Sequence, residues 1–591
     1  MNQSKKIFTI ILLISMLLFP AACTQQETPT ATQPLSSFDQ FLDQVFVDNM
    51  KKDSFSIHYM MRYPEKYQLD KTVPQLYRAN LNVDSLKKER AEDEKLLQQL
   101  KTFNFSCLSK EQQTNYLILK DYTERLLAVS QQEYFYMDYH FLSPTLGFQA
   151  QLPLLLSEYR FDNKQDIANY LSLLEQSEES LQTYFEYAKL QAAHGTIYPD
   201  RLLNGIVQQC STFAGNQKNH FLITGFNQKL SSITGLTNQE IKHYKAQNKL
   251  LVTQTLLPAY AKLGKNIATL KGSRKGIGCL KELPKGKDYY QDLFSLYTGM
   301  DDSIPQAKSY LKQKIQTLLS SLQQQYQNNS PNNEINYPEI MNQQATTILS
   351  FLKNKTLNSF PALKNTQFQV KFVDPSMQNN LSPALYLTSP FDDLNSKETI
   401  YLNVTNDSSA FYIYSVLAHE GYPGHLYQNS YFKSKQYHPI RYLISYSGYT
   451  EGWATYAEHQ SVSFTKANPF VIQEQLATDL NYAVLAVADI GIHYEGWDFK
   501  LFKKHLGKYF NIQRIKEKEL QNMYDTIIEA PANILVYYYP YFKLDDLKNK
   551  ALKQMQNQFD LKTFNQIILD TGPAPFALIE SNVQKYIDTV Q

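Results

Sequence analysis

Apolar residues recur at three-to-four spacing through most of the chain, which predicts a body built of helices. Leu97, Leu100 and Phe103 sit among charged residues in this way. Ile167, Tyr170, Leu171, Leu174, Leu181, Tyr184, Phe185 and Tyr187 form one apolar face of a helical stretch over residues 166–193, which Gly195 ends. Residues 304–327 make another long helical run, closed by Asn328-Asn-Ser-Pro331. The pattern then changes, and residues 368–373 and 399–404 alternate as strands do. From Ser409 the helical period returns and runs to the C-terminus, with breaks expected at Pro469, Pro531, Pro540 and Gly572-Pro573. No repeat of 20–50 residues is present. The expected fold is mainly α, with a small sheet of two to four strands beside one helix.

Composition agrees with this. The chain has 20 Gly in 591 residues, about half the usual frequency, which disfavours turn-rich sandwiches and solenoids. Hydrophobic residues make up 43% and charged residues 19%, enough to form a large core and to exclude global disorder. The balance of 58 basic and 56 acidic residues leaves +2, so no nucleic-acid partner is expected. The stretch Gly272-Ser-Arg-Lys-Gly-Ile-Gly-Cys279 lacks the order of a phosphate loop and reads as a surface connection.

The N-terminus reads as an address. Lys5 and Lys6 precede an apolar run over residues 7–19, and Ala21-Ala22-Cys23 follows, the layout of a secretory signal. A Cys after small residues resembles a bacterial lipobox, although Pro20 stands where that pattern prefers Leu. Residues 1–22 are therefore expected to be a signal peptide. Cys23 would be the lipidation site and residues 23–37 a flexible tether. Residues 38–591 would form one large domain with an N-terminal helical half (38–300) and a second half (301–591). Its place would be the extracytoplasmic face of a bacterial membrane, held there by the lipid. An ordinary signal peptide with an incidental Cys stays open. Cys107, Cys210 and Cys279 remain, with no C-x-x-C, so one disulfide of open pairing is compatible with that compartment.

The second half carries the chemistry. Ala418-His-Glu-Gly-Tyr-Pro-Gly-His425 places two of eleven His within seven residues, with a Glu after the first. In the usual zinc-peptidase motif the His are at i and i+4 on one helix face. Here they are at i and i+6, which on a straight helix turns the second ring about 240° away. Pro423 and Gly424 are expected to produce a local unwinding or π-like bulge that brings His425 round to His419. Glu451, in Gly448-Tyr-Thr-Glu-Gly-Trp-Ala-Thr-Tyr-Ala-Glu458, supplies a third ligand, with Thr450 as the expected N-cap of its helix. Two His and one Glu leave a fourth zinc position for water. Glu420 would be the general base, and Glu458, two turns after Glu451, would support a ligand from behind. Such a donor set also suits other divalent ions.

These residues resemble the DUF885 family of bacterial proteins, many of them lipoproteins. The likeness extends to Gln151-Leu-Pro-Leu-Leu-Leu-Ser-Glu-Tyr159, Asp489-Ile-Gly-Ile-His-Tyr-Glu-Gly-Trp497 and Phe559-Asp-Leu-Lys-Thr-Phe564. The family is similar to helical gluzincin-type metallopeptidases, including carboxypeptidases of the Taq type, and Glu-Gly-Trp-Ala resembles the metal-binding segment of zinc aminopeptidases. The resemblance implies one zinc held by His419, His425 and Glu451, with Glu420 as base and a peptide as substrate. It implies that residues 399–404, with Asn403 as a substrate contact, form an active-site edge strand. It also implies that His493 and Tyr538 stabilise the oxyanion and that Tyr537 binds substrate. Pro540 departs from the family, where Gly is usual. The expected function is that of a membrane-anchored zinc peptidase. A metal-containing binding lipoprotein without turnover is the alternative, and a metal-free surface interaction protein is a third reading.

Overall fold

The computed structural model describes residues 36–589, apart from 70–73, 77–80, 139, 216–219, 232, 329–335, 364–365, 374–383, 404–407 and 467. The signal segment, Cys23 and the tether up to residue 35 lie outside these residues; Ser36 and Ser37, expected in the tether, cap and start the helix Ser37–Lys52. Within them the chain is mainly helical, with one three-stranded mixed sheet. The apolar stripes meet in one continuous core that runs from Phe38 to Ile587. The two halves are also stitched by charge. Arg125 bonds both Asp121 (2.7 Å) and Asp301 (2.7 Å), and Tyr446 donates to Asp121 at 2.7 Å. Among the described residues no helix is long and apolar enough to cross a membrane.

Several local expectations change. Residues 166–193 are two helices, Lys164–Glu175 and Ser177–Ala193, because the chain turns at Gln176. That side chain leaves the helix face to bond Leu76 N and Pro74 O. Pro540 does not break its helix. It lies inside Leu535–Met555, where its ring fills the gap left by Gly448 and Gly452 of the facing helix Ser447–Ser461. A Cβ on Gly452 would sit 2.6 Å from Pro540 Cβ, and one on Gly448 would sit 2.6 Å from Thr298 Cα. These two helices share the most extensive helix–helix contact in the molecule. The loop over residues 272–279 is a surface connection, with Gly272, Ser273, Lys275 and Gly276 exposed, that is pinned by one buried side chain. Arg274 points inward and donates to the carbonyls of Thr196, Ile197 and Cys279. Cys107, Cys210 and Cys279 are all free, the last two buried, so the allowed disulfide does not form.

The sheet comprises β1 (Phe368–Phe372), β2 (Ala384–Leu387) and β3 (Glu398–Leu402) in the order β1-β3-β2. β3 pairs parallel with β1, Phe368 opposite Glu398, and antiparallel with β2, Tyr386 opposite Ile400. The expected edge strand over residues 399–404 is therefore central, with both backbone edges paired. The edge next to the helix Ala410–Glu420 belongs to β2.

Three buried imidazoles make folding pH-dependent. His220, His493 and His505 are each pushed down to about 4 by burial. Their folded forms are neutral, whereas the unfolded chain takes up protons below about 6.5. Their contribution is thus complete above that value and is lost as pH falls toward 4, with a limit of about 1.4 kcal/mol per pH unit for each. His419, Asp489 and Asp93, with raised pKa values, act in the opposite direction, so the three imidazoles are tested by difference: on going from pH 7 to pH 5, His505→Gln is expected to show a more favourable change in urea midpoint than wild type.

A buried two-histidine, carboxylate cluster

Two helices meet at the chemistry-bearing segment. The helix Ala410–Glu420 ends at Glu420, and a new one, His425–Ser434, starts five residues later. The i, i+6 spacing is absorbed by a complete break between helices instead of a bulge inside one. The Gly424 amide donates to Ala418 O (3.0 Å) and the Tyr427 amide to Gly421 O (3.1 Å). The Tyr422–Pro423 bond is cis, and the Pro423 carbonyl accepts from the indole of Trp453 at 3.1 Å. Trp453 thereby ties this turn to the helix Ser447–Ser461, which carries Glu451. That helix begins at Ser447, so Thr450 is inside it and is not its N-cap.

The turn brings the rings together. The centroids of His419 and His425 are 4.8 Å apart and nearly perpendicular. Glu451 Oε2 lies 3.4 Å from His419 Nε2 and 3.3 Å from His425 Nε2. A carboxylate oxygen of Glu420 falls within 4.8 Å of the same two imidazoles. His419, Glu420, His425 and Glu451 are each 3% exposed or less. His419 Nε2, His425 Nε2, Glu451 Oε2 and Glu420 Oε2 have no hydrogen-bond partner among the described residues. Such convergence of orphaned polar atoms is costly unless something sits between them. A tetrahedral site with ligands about 2.05 Å from its centre has edges of about 3.3 Å, the spacing observed. The donor set therefore fits a divalent cation.

Charge points the same way. Three buried carboxylates, Glu420, Glu451 and Glu458, face two imidazoles. Burial alone would lower the His419 pKa, but the carboxylates of Glu451, Glu458 and Glu420 around it hold it up to about 10. Burial alone would raise Glu451, yet His425 and His419 hold it down to about 2. For Glu420 burial prevails and pushes the carboxyl above its usual range against the pull of both imidazoles.

Behind the cluster lies a supporting layer. His419 Nδ1 bonds Glu458 Oε2 at 3.2 Å, and Ser415 Oγ donates to the other oxygen of Glu458. This fixes His419 with Nε2 toward the centre. Ser415 is one turn before His419 on the same helix face, a position readable from sequence. The backbone amide of Tyr386, on β2, donates to Glu420. The Tyr386 hydroxyl donates to Glu398 (2.6 Å), which also holds the buried ammonium of Lys433. No local pattern announces this network, because its members come from two strands and a helix separated by tens of residues.

The other expected site residues spread out. His493 is fully buried elsewhere. Its Nε2 bonds Ile527 O at 2.8 Å and its Nδ1 accepts from Leu280 N at 3.4 Å, so both nitrogens are used by the backbone. The Tyr537 ring lies 6.3 Å from that of His419. The Tyr538 ring stacks on Tyr482 at 4.4 Å instead. Both tyrosines line a cavity of about 70 Å³ that reaches His419 and Glu458. Asn403 follows the end of β3 and is half-buried.

The family model described as "Bacterial protein of unknown function (DUF885)" matches residues 76–583, and the chain belongs to this family. No curated protein matches. Two solved structures share the fold. One is described as "the putative lipoprotein from Colwellia psychrerythraea", with a TM-score of 0.80 and 18% identity, covering 94% of this chain and all of that one. The other is "a putative lipoprotein of unknown function from Shewanella oneidensis", with a TM-score of 0.56 and 15% identity, covering 93% of this chain and 99% of that one.

Proposed function

We propose that this protein is a zinc-dependent peptidase, tethered through a lipid on Cys23 to the outer face of a bacterial membrane. The carrying observation is the convergence of orphaned buried donors, His419 and His425 Nε2 each 3.3–3.4 Å from Glu451 Oε2. The resemblance to gluzincin-type peptidases supports the assignment of these three as ligands. When bound, zinc lowers the pKa of a water toward about 7 and polarises a carbonyl. Glu420 takes a proton from the attacking water and delivers it to the leaving amine. Glu458 holds His419 in the tautomer that presents Nε2. The phenol of Tyr537 stands on the His419 side to donate to the developing oxyanion, and an extended peptide would run along β2 beside Glu420. His493, its nitrogens taken by backbone, has no part in this reading. The tether follows from the N-terminal address and from the description of the Colwellia and Shewanella structures as lipoproteins.

One observation favours a second reading, a metal-containing binding lipoprotein without turnover. The cavity of about 70 Å³ is well below the ~300 Å³ of a typical ligand pocket, so a peptide enters only if a wall yields. Metal analysis tests the shared premise. Protein purified without chelator is expected to carry about one zinc per chain, and His419→Ala less than about 0.1. Equal metal content in both would remove the basis of either reading.

A further inference from the structure

The near balance of charge over the whole chain conceals one strongly basic face. Residues 499–516 hold six Lys and Arg and no Asp or Glu. They open with the helix Phe499–Leu506, which buries Phe502, His505 and Leu506 against the body. Its other side carries Lys500, Leu501 and Lys504, all exposed, and the exposed Lys508 follows one turn later. Leu501 is 44% exposed. Two more segments add lysines to this face. Lys308 lies over the ring of Trp497 at 4.8 Å, and that ring is 5.0 Å from His505. Burial holds the His505 pKa down, and the charges of Lys508, Lys308 and Lys312 add to the effect, which places all three around that ring. Lys287 sits over Tyr494 at 4.8 Å, and the Lys281 side chain passes beside Gly496. Glu495 is taken by Lys308 at 2.5 Å, and Asp498 by the amide of Leu501 at 2.8 Å. Lys281, Lys287, Lys312, Lys500, Lys504 and Lys508 enter no ion pair among the described residues. Gathered like charges repel one another unless a counter-charge meets them, and an exposed leucine among them adds nothing to the core. Lysine stems, an apolar tip and the half-buried Tyr494, Trp497 and Tyr509 together make the kind of surface that lies in a lipid headgroup layer. A soluble polyanion would meet the charge and leave Leu501 in water.

We propose that the face around the helix Phe499–Leu506 docks on an anionic lipid bilayer, with Leu501 below the headgroups and Lys500, Lys504 and Lys508 on their phosphates. This docking rests on the tether at Cys23 and not on the peptidase chemistry. From Cys23 to Ser36 the chain spans at most about 45 Å, so the body stands permanently beside such a surface.

The core begins at Phe38, so the chain from Thr24 onward keeps it whole and tests the face without the lipid. Co-sedimentation of this chain is measured on vesicles of phosphatidylglycerol mixed with phosphatidylcholine and on vesicles of phosphatidylcholine alone, at low salt. Wild type is expected to bind the anionic vesicles at least about tenfold more tightly. Each lysine at such a surface is worth about fivefold, so Lys500→Glu, Lys504→Glu and Lys508→Glu together should lose at least about a hundredfold with an unchanged melting temperature. Leu501→Ser should lose about fivefold. Lys242→Glu, Lys245→Glu and Lys249→Glu together make the same change of net charge on another helix, Asn238–Leu251, and should bind as wild type does. Equal losses in both triple variants would make the effect one of net charge and overturn the proposal. So would equal binding of both kinds of vesicle by wild type, or binding of soluble polyphosphate with none to vesicles. Lack of a lipid on Cys23 of the cell-derived protein, with vesicle binding intact, would overturn the tether alone.

Discussion

Glu420→Gln is expected to lower peptide hydrolysis by about 10³-fold while zinc content and melting temperature stay close to wild type. General acid–base catalysis contributes about 10²–10⁴-fold. The amide is the same size as the carboxylate but cannot take the proton from water. Glu420 lies within 4.8 Å of both imidazoles, but in this reading Glu451 is the carboxylate ligand, so the replacement is expected to leave any bound cation in place. Hydrolysis of a mixed peptide library by both proteins, with metal analysis on the same samples, gives the answer. Equal rates would leave a binding protein as the surviving reading.

The second large effect is structural. Gly424→Ala is expected to destabilise the fold by about 3 kcal/mol and to abolish stoichiometric zinc binding. An added Cβ would lie 2.5 Å from the carbonyl oxygen of Ala418 and closer still to that of His419. Those atoms are backbone and cannot swing aside, so the turn must open and His425 must move away from His419. Gly421→Ala meets the same obstacle at Leu417 O, 2.6 Å away. Urea unfolding and metal analysis of Gly424→Ala measure both effects. A variant that folds with wild-type stability and one zinc would show that the turn is not required by the site.

The helical body, the approximate places of β1 and β3 and the four central site residues were legible in the residues because each is announced by local spacing, whereas the short β2 was not. Phe368, Val370 and Phe372 alternate within five residues. His419, Glu420 and His425 lie within seven. What escaped depends on partners far apart in the chain. Residues 399–404 look like any half-buried strand, and only pairing on both sides reveals β3 as central. Pro540 reads as a helix breaker until Gly448 and Gly452 are set opposite its ring. His493 carries a motif-like neighbourhood, yet Ile527 and Leu280 occupy both its nitrogens.

The seam between Gly448, Gly452 and Pro540 has a mechanical consequence. With backbone seated against ring, the helices bearing Glu451 and Tyr537 can neither slide nor part without losing that fit, so they move as a single lever arm. Glu451 and Tyr537 are thereby held at constant separation. Room for any ligand in the cavity beside them would come from the opposite wall, where Phe411 and Tyr412 stand on the first turn of the helix that ends in His419 and Glu420. A shift of that wall would be carried to His419 and Glu420 through one short helix.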